Sequence, residues 1–420
     1  MSETMPRQAV VLCGGRGTRL SPHTDTMPKP MVEVANKPFL EHLLDQLAEQ
    51  GIIRFVLLTG YLGEQIHEYF ETGSRWGWDI RYSHGPADWN TGRRVVEAVG
   101  LLDESFILIY SDNFAPVDLS ALAERHATSG RSLTVTVKSK TSGNLRYSPQ
   151  TDAVAYDPAR ATPGLNHVEI GYMLVERDAT LRMLETVDGY PDVAYSEVLR
   201  LAARGGELGG HRTGGAYYSV SDPTRLELTR DYFSAKKILL IDRDGTISRQ
   251  LARGQYVASW EQFEFVPETV GAMGQLADDG FKFIVITNQA GIALGVVEEV
   301  EVDRIHRNMT VELGRRGIPV LDVYMSPDHW DSGSGMRKPA PGMFYLASDE
   351  YRFRLDQVLY VGDDIRDCQA AAAAGCGMIF LSDDKETVDL PASRHHQSVH
   401  CSLTEAIETI KSHYDGRSGP

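Results

Sequence analysis

The chain is 420 residues long, beyond the size at which one hydrophobic core usually stops growing, and its 42% hydrophobic content suffices for globular folding, so two domains are expected. A formal net charge of -16 works against holding a polyanionic backbone, which argues against nucleic acid as partner and for small anionic substrates gripped by local groups. Four cysteines without a CxxC pair, no apolar run near the roughly 20 residues of a membrane span, and no signal-like N-terminus predict a cytosolic protein with reduced thiols and no membrane contact.

From the N-terminus, short β-rich apolar runs alternate with amphipathic segments: residues 9–13 then 39–50, 53–59 then 62–70, 106–110 then 119–129. That alternation predicts a largely parallel sheet flanked by helices. Along 39–50, Phe39, Leu40, Leu43, Leu44 and Leu47 recur at helical spacing, so this helix lays one face on the sheet. The first strand runs into Gly14-Gly15-Arg16-Gly17-Thr18-Arg19-Leu20, ahead of Met27-Pro28-Lys29-Pro30-Met31. Glycines let backbone N–H groups approach a phosphate closely, and Arg19 and Lys29 add charge-assisted contacts, which makes the run a candidate triphosphate cradle. A bare Gly-Gly-x-Gly reads equally as an ordinary turn. Two features favour the cradle: the spacing fits neither the dinucleotide-binding nor the P-loop pattern, and prolines on both sides restrict the Lys29 backbone and aim its charge. Asp112 stands just past the strand 106–110, at the carboxyl edge where open α/β sheets bind ligands, with a helix cap or turn as the alternative reading.

A helix over Pro223–Phe233 closes this series, the polar stretch Ser234-Ala235-Lys236-Lys237 follows, and the strand pattern restarts at 238–242, 283–287, 322–325 and 358–361. The boundary is expected near Phe233, giving domains 1–233 and 234–420, with the tail 415–420 frayed. The restarting strand ends in Asp242-Arg243-Asp244-Gly245-Thr246. Carboxylates at i and i+2 on a strand end face one side and suit a hard cation plus an attacking oxygen. Asp242 can form an aspartyl-phosphate and Asp244 can protonate the leaving oxygen and later activate water, while Mg2+ screens the repulsion between the anionic partners. A charged turn is the alternative for the pair alone. Later strand ends speak against it, bringing in chain order Thr287-Asn288-Gln289, Arg337-Lys338-Pro339 and Asp363-Asp364-x-x-Asp367: a hydroxyl, two cations and further acids. Between Asp244 and Thr287 there is room for a flap at 248–260 and a helix near 267–279 but no cap domain, so an open site is expected. His395, His396 and His400 read as a polar loop before a final helix at 403–410.

The first half resembles the sugar-1-phosphate nucleotidyltransferases, most of all the heptose-1-phosphate guanylyltransferases. The likeness lies in the glycine run and in Thr59-Gly60-Tyr61-Leu62-Gly63-Glu64, Gly73-Ser74-Arg75-Trp76-Gly77 and Tyr110-Ser111-Asp112-Asn113-Phe114. It implies a Rossmann-like domain with a mixed sheet, nucleoside triphosphate binding by Gly14, Gly15, Gly17, Thr18, Arg19 and Lys29, a metal on Asp112, and substrate contact at Glu169 within Glu169-Ile170-Gly171-Tyr172. Three departures stand out. The second nucleotide loop, glycine-rich in relatives, reads Asn90-Thr91-Gly92-Arg93-Arg94; the acidic-lysine pair expected near Tyr156-Asp157-Pro158 is missing; and a late metal-binding aspartate is replaced by Ser219, with Asp222 as a candidate substitute.

The second half is similar to the haloacid-dehalogenase-like phosphatases, closest in pattern to the heptose-bisphosphate and histidinol-phosphate subgroup, which implies a second Rossmann-like domain with a parallel sheet and a minimal cap. The resemblance casts Asp242 as nucleophile, Asp244 as acid and base, Thr287 and Lys338 as phosphate ligands, Asn288 and Arg337 as substrate contacts, and Asp242, Asp244 and Asp363 as Mg2+ ligands. Relatives often carry a zinc loop of three cysteines and a histidine before Arg-Lys-Pro; residues 326–335 hold His329 and no cysteine, so no structural zinc is expected. The halves read as consecutive steps, with heptose 1,7-bisphosphate losing its far phosphate and the sugar 1-phosphate then receiving a nucleotidyl group to form GDP-heptose. Two alternatives stay open: a monofunctional phosphatase whose degenerate first half binds ligands or oligomerises, favoured by Arg93-Arg94 and Ser219, and a nucleic-acid end-processing phosphatase, which would need a basic groove.

Overall fold

The run Gln8–Cys13 is buried along its whole length, and such a segment is stable only with strands on both sides and layers over both faces. It becomes the middle strand of a nine-stranded sheet. The computed structural model describes residues 5–148, 153–252, 254–384 and 390–416, and the chain divides into Met1–Arg230 and Asp231–Pro420.

In the first unit β1 (Gln8–Cys13), β2 (Arg54–Thr59), β3 (Asp79–His84) and β4 (Ser105–Tyr110) form a parallel block in the order β3-β2-β1-β4. The remaining strands are β5 (Leu133–Ser139), β6 (Leu145–Ser148), β7 (Ala153–Tyr156), β8 (His167–Glu176) and β9 (Leu208–Arg212). Here the sheet turns mixed: β8 runs antiparallel to β4 and β5, β6 antiparallel to β7, and β9 parallel to β5. The alternation of strands and helices that predicts a parallel sheet ends at β5. Among the described residues no helix lies between β5 and β8, and without a crossover helix successive neighbours pair antiparallel. The helix Phe39–Ala48 buries Phe39, Leu40, Leu43, Leu44 and Leu47, each worth about 1.5–3 kcal/mol of transfer free energy. A two-residue ladder, Asn113–Phe114 against Tyr218–Ser219, brings the end of the unit beside the carboxyl end of β4.

The six-stranded sheet of the second unit is parallel throughout. Its strands β10 (Ile238–Ile241), β11 (Lys282–Asn288), β12 (Val320–Ser326), β13 (Leu359–Gly362), β14 (Gly377–Leu381) and β15 (Gln397–His400) lie in the order β12-β11-β10-β13-β14-β15. The polar loop expected around His400 is thus an edge strand, where one unpaired side tolerates polar residues. Chain connections diverge to either side of β10, which opens a crevice at its carboxyl end. Between Asp244 and β11 the described residues hold only the turn Trp260–Gln262 and the helix Pro267–Asp278, a minimal cap. The last helix runs over Leu403–Asp415, and of the tail expected to fray, 417–420 lie outside the described residues. Among the described residues no helix is long and apolar enough to cross a membrane.

Candidate active sites

At the carboxyl ends of β1 and β4 the first unit carries a cleft of about 660 Å³. Gly14, Gly15, Arg19, Lys29, Asp112 and Glu169, all singled out from sequence, line it. Gly17 and Thr18 do not: Gly17 sits behind the cleft in the left-handed region (φ 64°), capping the turn Thr18–Leu20, and its carbonyl accepts the Leu20 N–H at 2.9 Å. Lys29 Nζ donates to Asp112 Oδ2 at 2.6 Å, so the lysine and the carboxylate face the same space and hold one another.

Arg93-Arg94, a departure in sequence, acquires a structural meaning through Arg94. Its buried guanidinium donates from Nη1 to the Thr59 carbonyl at 2.8 Å and from Nη2 to the Pro86 and Gly14 carbonyls at 2.7 and 3.3 Å. Arg94 thereby ties the glycine loop to the end of β2. A Cβ at Gly14 would stand 2.2 Å from Arg94 Cζ, which is why this position takes glycine. Glu169 projects from β8 with Oε1 buried and unpartnered, while its N–H donates to Asn144 Oδ1 at 3.1 Å. Burial pushes its carboxyl up to about 7, and the Asp112 charge adds to the rise. Neither candidate for the second metal ligand presents a carboxylate to the cleft. Ser219 Oγ lies 3.2 Å from Ser221 Oγ, and Asp222 Oδ1 accepts the Arg225 N–H at 3.0 Å as a helix cap.

The second unit assembles its polar residues around the end of β10. Lys338 Nζ stands 2.7 Å from Asp242 Oδ1, Asp367 Oδ1 and Tyr360 Oη, and 3.0 Å from the Ile286 carbonyl. Burial alone would lower the Lys338 pKa, but Asp242 and Asp367 raise it, so the ammonium is retained. Asp242, Asp363 and Asp367 can each aim one oxygen at a common point, these atoms lying within 4.8 Å of one another. Burial raises the Asp242 and Asp363 carboxyls, the latter to about 7, with Asp367 adding to both. Three carboxylates around one ammonium leave excess negative charge in a buried pocket, a donor set that fits a hard divalent cation. Gly245, at φ +91°, admits this approach, because a Cβ there would lie 2.1 Å from Asp363 Oδ2.

Asp244, expected beside Asp242 on the metal, turns its carboxylate elsewhere. Oδ1 accepts from Arg243 Nε and Ser248 Oγ, each at 3.0 Å, and Oδ2 from Arg243 Nη2 and Gln289 Nε2, each at 2.7 Å. Burial would raise its pKa, but these donors, Arg243 first, hold it below the ordinary value. The third acid is instead Asp367, on the first turn of the helix Ile365–Ala374, where it also completes a capping box with Asp364. Its spacing in Asp363-Asp364-x-x-Asp367 is visible in sequence; its burial is not. Arg243, fully buried, donates from Nη1 to His306 Nε2 at 2.8 Å, which requires a neutral imidazole protonated on Nδ1. Burial pushes His306 down to about 3.

Thr287 lies one residue before the end of β11, its hydroxyl accepting from Gln289 Nε2 at 2.9 Å. Asn288 spends its amide on the Lys338 backbone, donating to the carbonyl and accepting the N–H, both at 3.0 Å, so it anchors the lysine. Arg337 Nη1 donates to the Asp328 carbonyl at 3.1 Å and fastens the 326–337 loop, on which Trp330 is 56% exposed against the His329 ring.

Comparison with known proteins agrees with this division. The nucleotidyl transferase family model matches residues 8–146, and the polynucleotide kinase 3 phosphatase model matches residues 237–385. A Bacillus subtilis protein named probable glucose-1-phosphate cytidylyltransferase is 35% identical over 150 residues, 31% of this chain; the chain spans only 59% of that relative's length. The D-glycero-beta-D-manno-heptose-1,7-bisphosphate 7-phosphatase of Escherichia coli is 34% identical over 181 residues, covering 41% of this chain and 93% of the relative. The D-glycero-alpha-D-manno-heptose-1,7-bisphosphate 7-phosphatase of Mycobacterium bovis is 35% identical over 152 residues, covering 34% of this chain and 78% of the relative.

Proposed function

We propose, from the premise that this chain belongs to the heptose-1,7-bisphosphate 7-phosphatase family, that its second unit removes the 7-phosphate of a heptose 1,7-bisphosphate. Its first unit then couples the heptose 1-phosphate to a nucleotide, giving GDP-heptose. The observation that carries the reading is the convergence of Asp242, Asp363, Asp367 and Lys338 at the end of β10. Relatives named for both anomers support the heptose and leave its configuration to experiment. Guanylyl specificity rests on the motifs of the first half. Both steps are placed in the cytosol, in keeping with four cysteines that are all unpaired.

In the phosphatase step an Asp242 oxygen bonds to phosphorus as the bond to the sugar O7 breaks, and Asp244 gives that oxygen its proton. Asp244 must first loosen its hold on Arg243 and Gln289, which keep it ionised, and take up a proton from solvent. Water then attacks the aspartyl-phosphate, Asp244 takes the proton back, and phosphate departs. Mg2+ held by Asp242 and Asp363, with Asp367 behind them, would screen the repulsion between nucleophile and phosphate. Lys338 keeps Asp242 in place and meets the developing charge.

In the transferase step an oxygen of the sugar 1-phosphate bonds to the α-phosphorus of GTP, the bond to the β-phosphate breaks, and pyrophosphate leaves. No covalent residue is needed; Gly14 and Gly15 cradle the triphosphate, and Arg19 and Lys29 neutralise it. Asp112, freed when Lys29 turns to the triphosphate, would hold the divalent cation of this site. The missing carboxylate at Ser219 favours a narrower second reading, a phosphatase whose first unit binds ligands without turnover. One assay separates them. The chain is incubated with heptose 1,7-bisphosphate, Mg2+ and each nucleoside triphosphate in turn, and phosphate and pyrophosphate are followed separately. Phosphate with every nucleotide and pyrophosphate with GTP is the expected result; phosphate without pyrophosphate under any nucleotide removes the transferase step.

A further inference from the structure

The cleft of the first unit holds cations that none of these roles uses. Arg160 and Arg225 both line it. Lys140, half-buried near them, has its ammonium disfavoured by burial and then by the two guanidinium groups. Like charges gathered at one wall are costly until an anion shares them.

Arg225 is held in a way that suits release to such an anion. Nη1 lies 3.4 Å from Tyr217 Oη, 3.3 Å from Ser219 Oγ and 3.5 Å from Ser221 Oγ, all hydroxyls at long distance. Its carboxylate neighbour Asp222, 3.5 Å from Nε, is also engaged as a helix cap. The hydroxyls fix where the guanidinium stands: Ser219 pairs with Asn113, and the Val220 N–H donates to the Asp112 carbonyl at 3.0 Å, so Arg225 reaches the cleft beside Asp112. The same cleft contains the Glu169 oxygen that is buried without a partner. A buried acceptor left open calls for a donor that the protein does not supply, and a sugar hydroxyl is one.

We propose that Arg225, seconded by Arg160, binds the phosphate of the acceptor while Glu169 accepts a hydrogen bond from its polyol, so that the subsite selects a phosphorylated polyol. This rests on the transferase reading above. A guanidinium offers two parallel N–H groups to two phosphate oxygens, leaving a third free to attack the α-phosphorus. It also supplies positive charge beside Asp112, where Ser219 brings no second carboxylate for a cation.

The test uses the full chain with Arg225→Ala, Arg225→Lys and the Arg160→Ala/Arg225→Ala double variant. Pyrophosphate formation is measured against heptose 1-phosphate and against GTP, and binding of heptose 1-phosphate is measured separately by calorimetry. Loss of one charge-assisted bidentate contact should raise the acceptor KM and Kd of Arg225→Ala by about tenfold or more, with the GTP KM unchanged. Lysine should recover part of the loss and the double variant should lose more. Unchanged GTP affinity and unchanged phosphate release from heptose 1,7-bisphosphate show that both units remain folded. Acceptor KM and Kd unaltered in the double variant would overturn the assignment. A wild-type chain that makes no pyrophosphate defeats the transferase reading instead, and calorimetry then still decides whether Arg225 holds the sugar phosphate.

Discussion

The two clefts handle charge in opposite ways. At the end of β10 the central ionised groups have protein partners: Lys338 lies among Asp242, Asp367 and Tyr360, and both Asp244 oxygens are engaged by Arg243, Ser248 and Gln289. In the first unit Glu169 Oε1 is buried without a partner, Arg160 and Arg225 crowd one wall, and Lys29 and Asp112 hold each other across the space. A site for one small, constant group can be set in advance, because a phosphoryl group always presents the same oxygens. A site that must align two large anions leaves groups open for ligands to complete.

The sharpest break between the sites is at the nucleophile. Asp242→Asn should lower phosphate release by about 10³-fold or more, while pyrophosphate formation from supplied heptose 1-phosphate and GTP continues at the wild-type rate. Loss of both activities in a folded variant would show that the sites are not independent. Lys29→Ala is the converse change. Removing one aimed charge should cost about 10²–10³-fold in pyrophosphate formation and leave phosphate release alone; an effect below about twofold would leave Arg19 and the glycine loop to carry the triphosphate unaided.

A smaller effect probes how far the order around β10 extends. His306 touches no reacting atom and acts through Arg243, which grips Asp244. His306→Leu removes the acceptor for Arg243 Nη1 and should lower kcat for phosphate release by about tenfold, with KM steady, because the acid and base is misplaced while phosphate ligands stay put. His306→Gln restores an acceptor and should recover most of the rate. A purely structural role predicts lower stability in both variants with no such kcat-against-KM split.

How much of this was legible in sequence follows from the same physics. Parallel strands read as apolar runs, and their carboxyl ends carry the chemistry, so Asp242, Thr287, Asp363 and Asp112 stand where the runs stop, while Lys338 and Lys29 are legible from their Arg-Lys-Pro and Pro-Lys-Pro settings in the loops beyond, and the structure brings each set together at its own sheet edge. What stayed hidden depends on side-chain direction or distant pairing. Arg243 lies between two acids and reads as a charged turn, yet it is fully buried, with its other partner 63 residues away on a helix. Asp367 reads as one more acid until its helix turns it onto Lys338. Gly17 and Thr18 share a motif with Gly14 but serve the turn behind it. Arg225 follows an unremarkable proline at a helix start, and only the ladder between 113–114 and 218–219 brings it beside Asp112.

The mildest test concerns the open oxygen in the first cleft. Burial lifts the Glu169 carboxyl from its ordinary 4.5 to about 7, so the folded chain holds this proton more tightly than the unfolded chain does. Stability from that proton is fully present below about pH 4.5 and is lost as pH rises through about 7, with a ceiling of about 3.5 kcal/mol at about 1.4 kcal/mol per unit. In metal-free, ligand-free protein the thermal transition of the first unit should therefore fall between pH 5 and 8 more steeply in the wild type than in Glu169→Gln, which has no proton to lose. Heptose 1-phosphate should flatten the wild-type slope, because a hydroxyl donated to Oε1 stabilises the ionised form and brings the folded pKa back towards the unfolded one. Equal slopes in both proteins would mean that Glu169 is already solvated or paired when the cleft is empty, and the contrast with the engaged Asp244 and Lys338 of the site around β10 would then lose its clearest element.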